Sequence, residues 1–175
     1  MPVNSLPMGA LSFEVFDNNN KRLLGIASVD LPELSLKTVE VAGASILGSM
    51  DYPLFAQAEN LELTLHFRVL YEDAATMMTN SAQFLTCYVA SEHYDAGDGT
   101  RAIQGLKIVA RGLVKSTNLG KLEVGENSDT EVVLHLYYLK ISANGDALIE
   151  FDRFNYIYNV DGQDLMTDYL AALGL

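Results

Sequence analysis

The ten residues "LELTLHFRVL", Leu61 to Leu70, alternate apolar and polar side chains. Leu61, Leu63, Leu65, Phe67 and Val69 fall on one side, and Glu62, Thr64, His66 and Arg68 on the other. A helix would scatter that pattern around its axis, whereas a strand, whose side chains alternate between two faces, collects it into one apolar and one polar face. The pattern recurs in "GLKIVARGLVKS", 105–116, where Leu106, Ile108, Ala110 and Val114 oppose Lys107, Arg111 and Lys115. "TEVVLHLYYLKI", 130–141, is apolar on both faces, as expected of a strand covered on both sides. Shorter strands are predicted at 12–17, 22–30, 33–41, 83–94 and 146–152. "DNNN" (17–20), "STNLGK" (116–121) and "ANGD" (143–146) supply the turns, and Asn144-Gly145 is a strong hairpin signal.

Two segments break the strand pattern. "YEDAATMMTN", 71–80, opens with acids and continues with Ala and Met, as a first helical turn should. At the end of the chain Asp161-Gly-Gln-Asp164 reads as a capping arrangement. Leu165, Met166, Tyr169, Leu170 and Leu173 then form one apolar stripe, and Gly174 sits where a helix stops. The expectation is a single, mainly β domain over 1–175. It is an antiparallel β-barrel or sandwich with one flanking helix and a short C-terminal helix over 161–174.

The chain has 175 residues, 49% apolar and 19% charged, which suffices for one real core and is not a disordered composition. No apolar run approaches the roughly 20 residues that span a bilayer, so no membrane is expected as a partner. "MPVNSLPMGALSF" has neither a basic n-region nor a long h-region, and no signal peptide is expected. Cys87 is the single cysteine, so no internal disulfide can form, which fits a reducing compartment. The net charge of −12 disfavours nucleic acid and anionic membranes unless the basic residues gather. Five of the eleven do lie close in sequence: Arg101, Lys107, Arg111, Lys115 and Lys121.

No chemistry stands out. His66, His93 and His135 all fall in predicted strands, and none has a metal-like partner two or four residues away. Cys87 alternates with Leu85 and Val89 and reads as a buried small apolar residue rather than a nucleophile. "DAGDGT", 95–100, hints at a calcium loop but lacks the spacing and terminal Glu of an EF-hand, so it reads as a polar hairpin tip. Nucleotide-binding, hydrolase and metalloprotease motifs are absent, and nothing selects one carboxylate pair from 23 acids. The expectation is no catalytic residue, no metal, no cofactor and no enzyme. The Lys107–Arg111–Lys115 stripe reads as a solvated strand face or a protein–protein contact. Nucleic-acid binding ranks third, because aromatic interleaving is absent from the stretch.

The twenty residues "VAGASILGSMDYPLFAQAEN", 41–60, show neither period. They carry Val41, Ile46, Leu47, Met50, Tyr52, Leu54 and Phe55, more apolar surface than a loop facing water should expose. The segment is expected to be a long extended arm loop.

Two stretches carry a resemblance. One is "VDLPELSLKTVEVAGASILGSMDYP", followed by the strand containing "LTLHFRVL"; the other is "IEFDRFNYIYNVDGQDLMTDYLAALGL" at the end. With "GKLEVGE" and "LYYLKI" between them, their order and spacing resemble the major tail tube protein of contractile-tailed phages, from about Gly25 to Leu175. The ending "VDGQDL…ALGL" is the most specific part. The family is similar to the tube proteins of tailocins and type VI secretion systems.

The resemblance implies a β-barrel or sandwich flanked by a helix. It implies hexameric rings that stack into a tube inside the contractile sheath, in a virion tail made in the bacterial host cytoplasm. It also implies the sheath protein, baseplate initiator, tape measure protein and tail terminator as partners, with DNA passing through the lumen without specific binding. The arm would then cross a neighbouring subunit or ring, the alternative being an arm folded back on its own barrel, and would bury Ile46, Leu47, Tyr52, Leu54 and Phe55 between chains, with Leu165, Tyr169 and Leu170 of the C-terminal helix near a subunit boundary. The polar strand faces would bring Lys37, Glu62, His66, Arg68, Lys107, Arg111 and Lys115 to the lumen. Two other readings stay open: the tube of a DNA-free injection system or tailocin, and a monomeric small-ligand β-barrel with an apolar interior pocket.

Overall fold

The computed structural model describes residues 5–44, 46–79 and 81–175. Among them the chain forms β1 (Ser5–Phe16), β2 (Ile26–Asp30), β3 (Leu36–Ala42), β4 (Ser49–Ala58) and β5 (Leu61–Phe67), then α1 (Glu72–Met77). There follow β6 (Gln83–Asp95), β7 (Thr100–Asn118), β8 (Thr130–Ala143), β9 (Asp146–Asp152), β10 (Ile157–Val160), β11 (Gln163–Asp164) and α2 (Thr167–Leu173). The strand pairings are antiparallel.

The long strands β7 and β8 make the fold. They pair with each other from Leu106–Ala143 to Asn118–Glu131. On its other edge β8 pairs β5 through Leu136 and β9 from Tyr138 onward. Two layers therefore share these strands: β2–β5–β8–β7 at one end, and β1–β6–β7–β8–β9–β10–β11 at the other. The ladder slips between Arg111 and Gly112 and again between Val114 and Ser116, where the layers change over. Such bulges bend strands. Gly112 is required there, because a Cβ would lie 2.4 Å from the His135 carbonyl oxygen. The result is a sandwich-like, open arrangement rather than a closed barrel.

The core lies between the layers. Leu61, Leu63, Leu65 and Phe67 of β5 meet Val132, Leu134, Leu136 and Leu139 of β8, with Leu85, Cys87, Ile108, Ala110 and Phe151 from the other layer. Their alternation is the one visible in the sequence. Val69, predicted on the same face, is instead exposed, because β5 ends at Phe67. On β8 the second apolar face is only half covered: Val133 and Tyr137 are half-buried. A gap of about 10 Å³ remains between Val15, Leu63, Cys87 and Ile108, no more than a single water could fill. At this point of the core there is no room for a ligand of the kind the monomeric ligand-barrel reading requires.

Helix α1 closes one end with Ala74 and Met77. Its buried Asp73 accepts Lys21 Nζ at 2.5 Å and the Leu24 N–H at 2.8 Å, which pins the 21–24 segment to the helix. The Lys21 hydrogen bond, helped by the Leu24 N–H, holds the Asp73 carboxyl below its ordinary range against the cost of burial.

The predicted C-terminal helix over 161–174 starts later. Asp161 and Gly162 have φ of 50° and 77° and form the tight turn between β10 and β11, so Asp161 does not sit at a helix N-terminus. The helix begins at Thr167. Asp164 prepares it by accepting the Met166 N–H at 2.8 Å and the Thr167 hydroxyl at 3.1 Å. Gly174 ends it in the left-handed conformation, φ 75°.

The predicted arm loop over 41–60 is also corrected. It is a β-hairpin, β3 with β4, forming a separate two-stranded sheet. Met50, Tyr52 and Leu54 do alternate with Asp51 and Pro53, as Val39 and Val41 do with Glu40. Each run is too short to show a period within twenty residues.

Candidate assembly interface

The β3–β4 hairpin is amphipathic. Val39 stands opposite Tyr52 and Val41 opposite Met50, which puts these four on one face. Glu40 stands opposite Asp51 and Thr38 opposite Pro53 on the other. The two strands pair with each other and have almost no contact with the remaining elements. Val39, Met50, Tyr52 and Phe55 are exposed, and Leu47, in the turn, is completely exposed. Ile46 and Leu54 are half-buried.

The hairpin is anchored at its base. Arg153 donates through Nη2 to the carbonyl oxygens of Glu59, at 2.6 Å, and Ala58, at 3.3 Å. Ala56 there takes a left-handed φ of 56°, unusual for alanine. A cavity of about 140 Å³ lies beside the base, between Ala56–Ala58, the 151–153 and 156–158 segments, Met166 and Tyr169. The sequence separated the hairpin and the C-terminal helix by a hundred residues; the fold sets them on one cavity. Of the predicted helix residues, Leu165, Tyr169 and Leu170 are half-buried, whereas Met166 is buried and secures the helix to the body. Leu173 and Leu175 are exposed.

The residues expected at a lumen fall into three groups. Glu62, His66 and Lys115 lie on the outer face of the β5–β8–β7 layer, each with an acidic or basic partner. Lys115 Nζ meets Glu62 at 2.6 Å, and His66 reaches Asp30 at 2.9 Å and Glu131 at 3.5 Å. Lys107 and Arg111 lie outward on β7. Lys107 stands 5.5 Å over the Tyr88 ring, and Arg111 lies between Phe84 at 5.4 Å and Tyr138 at 4.8 Å. Lys37 is on the hairpin, and Arg68, just past β5, is exposed.

The aromatic interleaving missing from the basic stretch is therefore supplied by neighbouring strands, a correction to the sequence reading. Its signal was the four-residue spacing of Phe84 and Tyr88, which puts both on one strand face. The Tyr138 hydroxyl donates to Glu150 at 2.9 Å, and Lys140 meets the same carboxylate at 3.0 Å. Burial first, and the hydrogen bond to Glu150 second, push the Tyr138 phenol up to about 12. Burial likewise pushes the Cys87 thiol up to about 11, which leaves it protonated at neutral pH. In "DAGDGT" the Asp95 carboxylate accepts the Gly97 N–H at 2.8 Å, the geometry of a hairpin tip.

Sequence reasoning passed over further exposed apolar residues. Leu6, Met8 and Leu11 of β1, Ile103 of β7, and Leu122 and Val124 of the β7–β8 connection all face solvent. Among the described residues no three His, Cys, Asp or Glu side chains come together as a metal site, and no helix is long and apolar enough to cross a membrane.

Comparison with known proteins gives a consistent set. Residues 11–174 match the family model described as phage tail tube protein FII. The chain is 23% identical over 172 residues to the major tail tube protein of Serratia phage KSP20, covering 98% of both chains. It is 27% identical over 157 residues to the tail tube protein of Escherichia phage P2, covering 86% of this chain and 88% of that one. In fold it is similar to a chain in the cryo-EM structure of an extracellular contractile injection system, PVC sheath/tube terminator in extended state. The TM-score is 0.52 at 14% identity, over 78% of this chain and 97% of the other.

Proposed function

This chain belongs to the phage tail tube protein FII family, as a structural tail tube protein of a contractile phage or related injection system rather than an enzyme, and from that premise we propose that its copies close into hexameric rings that stack into a hollow tube. The tube stands in the virion tail, inside the sheath, with a terminator, a baseplate initiator and a tape measure protein as its other partners. DNA passes through without specific binding. Both named relatives come from phages, which favours a DNA-conducting tail over a DNA-free system.

One observation carries the assembly. The β3–β4 hairpin keeps an apolar face of Val39, Val41, Met50 and Tyr52 off its own body. A lone two-stranded hairpin is marginal in water, so a second copy that covers this face would stabilise it. Ile46, Leu47, Leu54 and Phe55 join that contact, and Tyr169 at the shared cavity extends it, together with Leu165 and Leu170 of the C-terminal segment. The face of Glu62, His66 and Lys115, where Lys115 is paired with Glu62 and Asp30 and Glu131 stand beside His66, suits a channel wall, since it offers a polyanion no net attraction.

Analytical ultracentrifugation over a concentration range, with negative-stain images of the purified protein, tests this reading. Hexameric rings or tubes are expected. Deletion of 44–54 should leave a folded body that forms neither. A monomer at every concentration, with no ring or tube in the images, would refute the assembly.

A further inference from the structure

The hairpin's polar face contains a conflict. Glu40 and Asp51 are direct cross-strand neighbours, both exposed. Like charges directly opposite each other destabilise a strand pair. Neither carboxylate has an ion-pair or hydrogen-bond partner among the described residues. A local arrangement that works against its own element marks a place where something outside the element is needed.

The cations are unevenly committed. Lys21, Arg22, Arg101, Lys115, Lys121 and Lys140 each hold a carboxylate. Among the rest, Lys37 belongs to the hairpin itself, Arg153 is bonded to the carbonyls at the hairpin base, and Arg68, exposed past β5, lies over no aromatic ring among the described residues. Lys107 and Arg111 remain. They share the outer face of β7, four residues or about 13 Å apart, and both are exposed. Arg111 lies against the rings of Phe84 and Tyr138, so less rotamer entropy remains to be lost when its guanidinium takes a carboxylate. The carboxylates of β9, across β8 from it, are already engaged: Glu150 holds Lys140 and the Tyr138 hydroxyl, and Asp152 accepts the Phe154 and Asn155 N–H groups.

We propose that the acidic pair Glu40–Asp51 on the hairpin of one subunit docks on the cation–aromatic face of a second copy, with Arg111 as its anchor and Lys107 extending the positive strip. The inference rests on the assembly proposed above and names its polar half. The apolar face of the hairpin supplies buried area, and the acid–arginine contact fixes register and orientation. It also explains why a chain of net charge −12 keeps two cations on aromatic rings instead of pairing them internally.

Charge reversal with a swap tests this. Arg111→Glu with Lys107→Glu should abolish tubes in negative stain, and so should Glu40→Lys with Asp51→Lys. The second pair lies on the hairpin, away from the core, and leaves the body folded. Combining all four substitutions should restore tubes, because the charges are then exchanged. Arg111→Gln, which keeps most of the packing, should weaken assembly about tenfold or more in the concentration needed, with an unchanged thermal midpoint. Tubes from either reversed pair at wild-type concentration would overturn the docking, as would a fourfold variant that stays unassembled while each pair is well folded. A wild-type protein that never assembles would instead remove the tube reading itself, and this contact with it.

Discussion

The β5–β8 pair and the β3–β4 hairpin are both antiparallel and both rich in apolar residues, yet they obey opposite rules. In β5 the alternate residues Leu61, Leu63, Leu65 and Phe67 are between 0% and 3% exposed. In the hairpin, Val39, Met50 and Tyr52 alternate as well but remain 43–54% exposed. The same period has two outcomes, because β5 has a second layer above it and the hairpin has none among the described residues. Alternation states that a face needs a cover; it does not state which chain provides it. The two regions should therefore respond differently to mutation: the body in stability, the hairpin in assembly.

Leu134→Ala should show the largest effect on the body. Leu134 is fully buried between the layers, and truncating such a leucine costs about 2–5 kcal/mol, depending on how far the site collapses. Denaturant unfolding of the dilute protein would measure it. A loss under about 1 kcal/mol would mean that the body, like the hairpin, relies on another chain.

Gly120→Ala should come next. Gly120 has φ 73°, and a Cβ there would lie 1.8 Å from the Ser128 carbonyl oxygen, a backbone atom that cannot step aside. The connection after β7 is held at this point by the Lys121 N–H donating to the same oxygen at 2.8 Å. A loss of about 3 kcal/mol is expected, at the top of the range for local backbone strain. A near-neutral result in thermal melting would show that the 119–128 connection is no part of the folded body.

Asp73→Ala follows, at about 1–3 kcal/mol, since it leaves the Leu24 N–H without its acceptor. The pH dependence has a definite sign. The folded carboxyl sits below its unfolded value, so its contribution is complete above about pH 5 and fades as the pH falls through the folded value. On the basic side, the Lys21 ammonium is raised by the Asp73 hydrogen bond, so that half is lost only as the pH climbs past its folded value. The midpoint of the wild type should drop on acidification more than that of the alanine variant; parallel curves would show that Asp73 contributes no linkage.

Much of the body was legible because its signals are periodic, in β5 and β7, or apolar throughout, in β8. β5, β7 and β8 announce themselves in the sequence, Asn144-Gly145 places a turn, and the face of β7 that carries Lys107, Arg111 and Lys115 was correctly assigned. What stayed hidden depends on pairings distant in sequence. The Asp73 tether joins residues 49 and 52 positions apart, and the ring stack on Arg111 needs the registers of β6, β7 and β8 together. The hairpin was half hidden: β3 falls largely within the predicted 33–41 strand, and its partner β4 was missed for a different reason. The hairpin's strands are interrupted by a bulge between Leu36 and Thr38, and Ala56 turns left-handed, so each apolar run is short. The Asp161-Gly162 turn was misread as a helix start because Asp serves both purposes; only the pairing of Asn159 with Asp164 decides between them.

Tyr52→Ala should have the smallest effect on the isolated subunit and is the sharpest test of the comparison. The side chain is 54% exposed, it stands opposite Val39 on the hairpin's apolar face, and the hairpin has almost no contact with the body. Surface substitutions of that kind usually change stability by no more than about 0.5 kcal/mol. In an assembled interface an aromatic anchor contributes far more, commonly above about 2 kcal/mol when truncated. The dilute monomer should therefore melt as the wild type does, while the concentration needed for rings or tubes in ultracentrifugation rises roughly thirtyfold, the factor that about 2 kcal/mol represents. A monomer midpoint that falls in step with assembly would place Tyr52 in the subunit's own core. The hairpin and β5 would then differ in degree, not in kind.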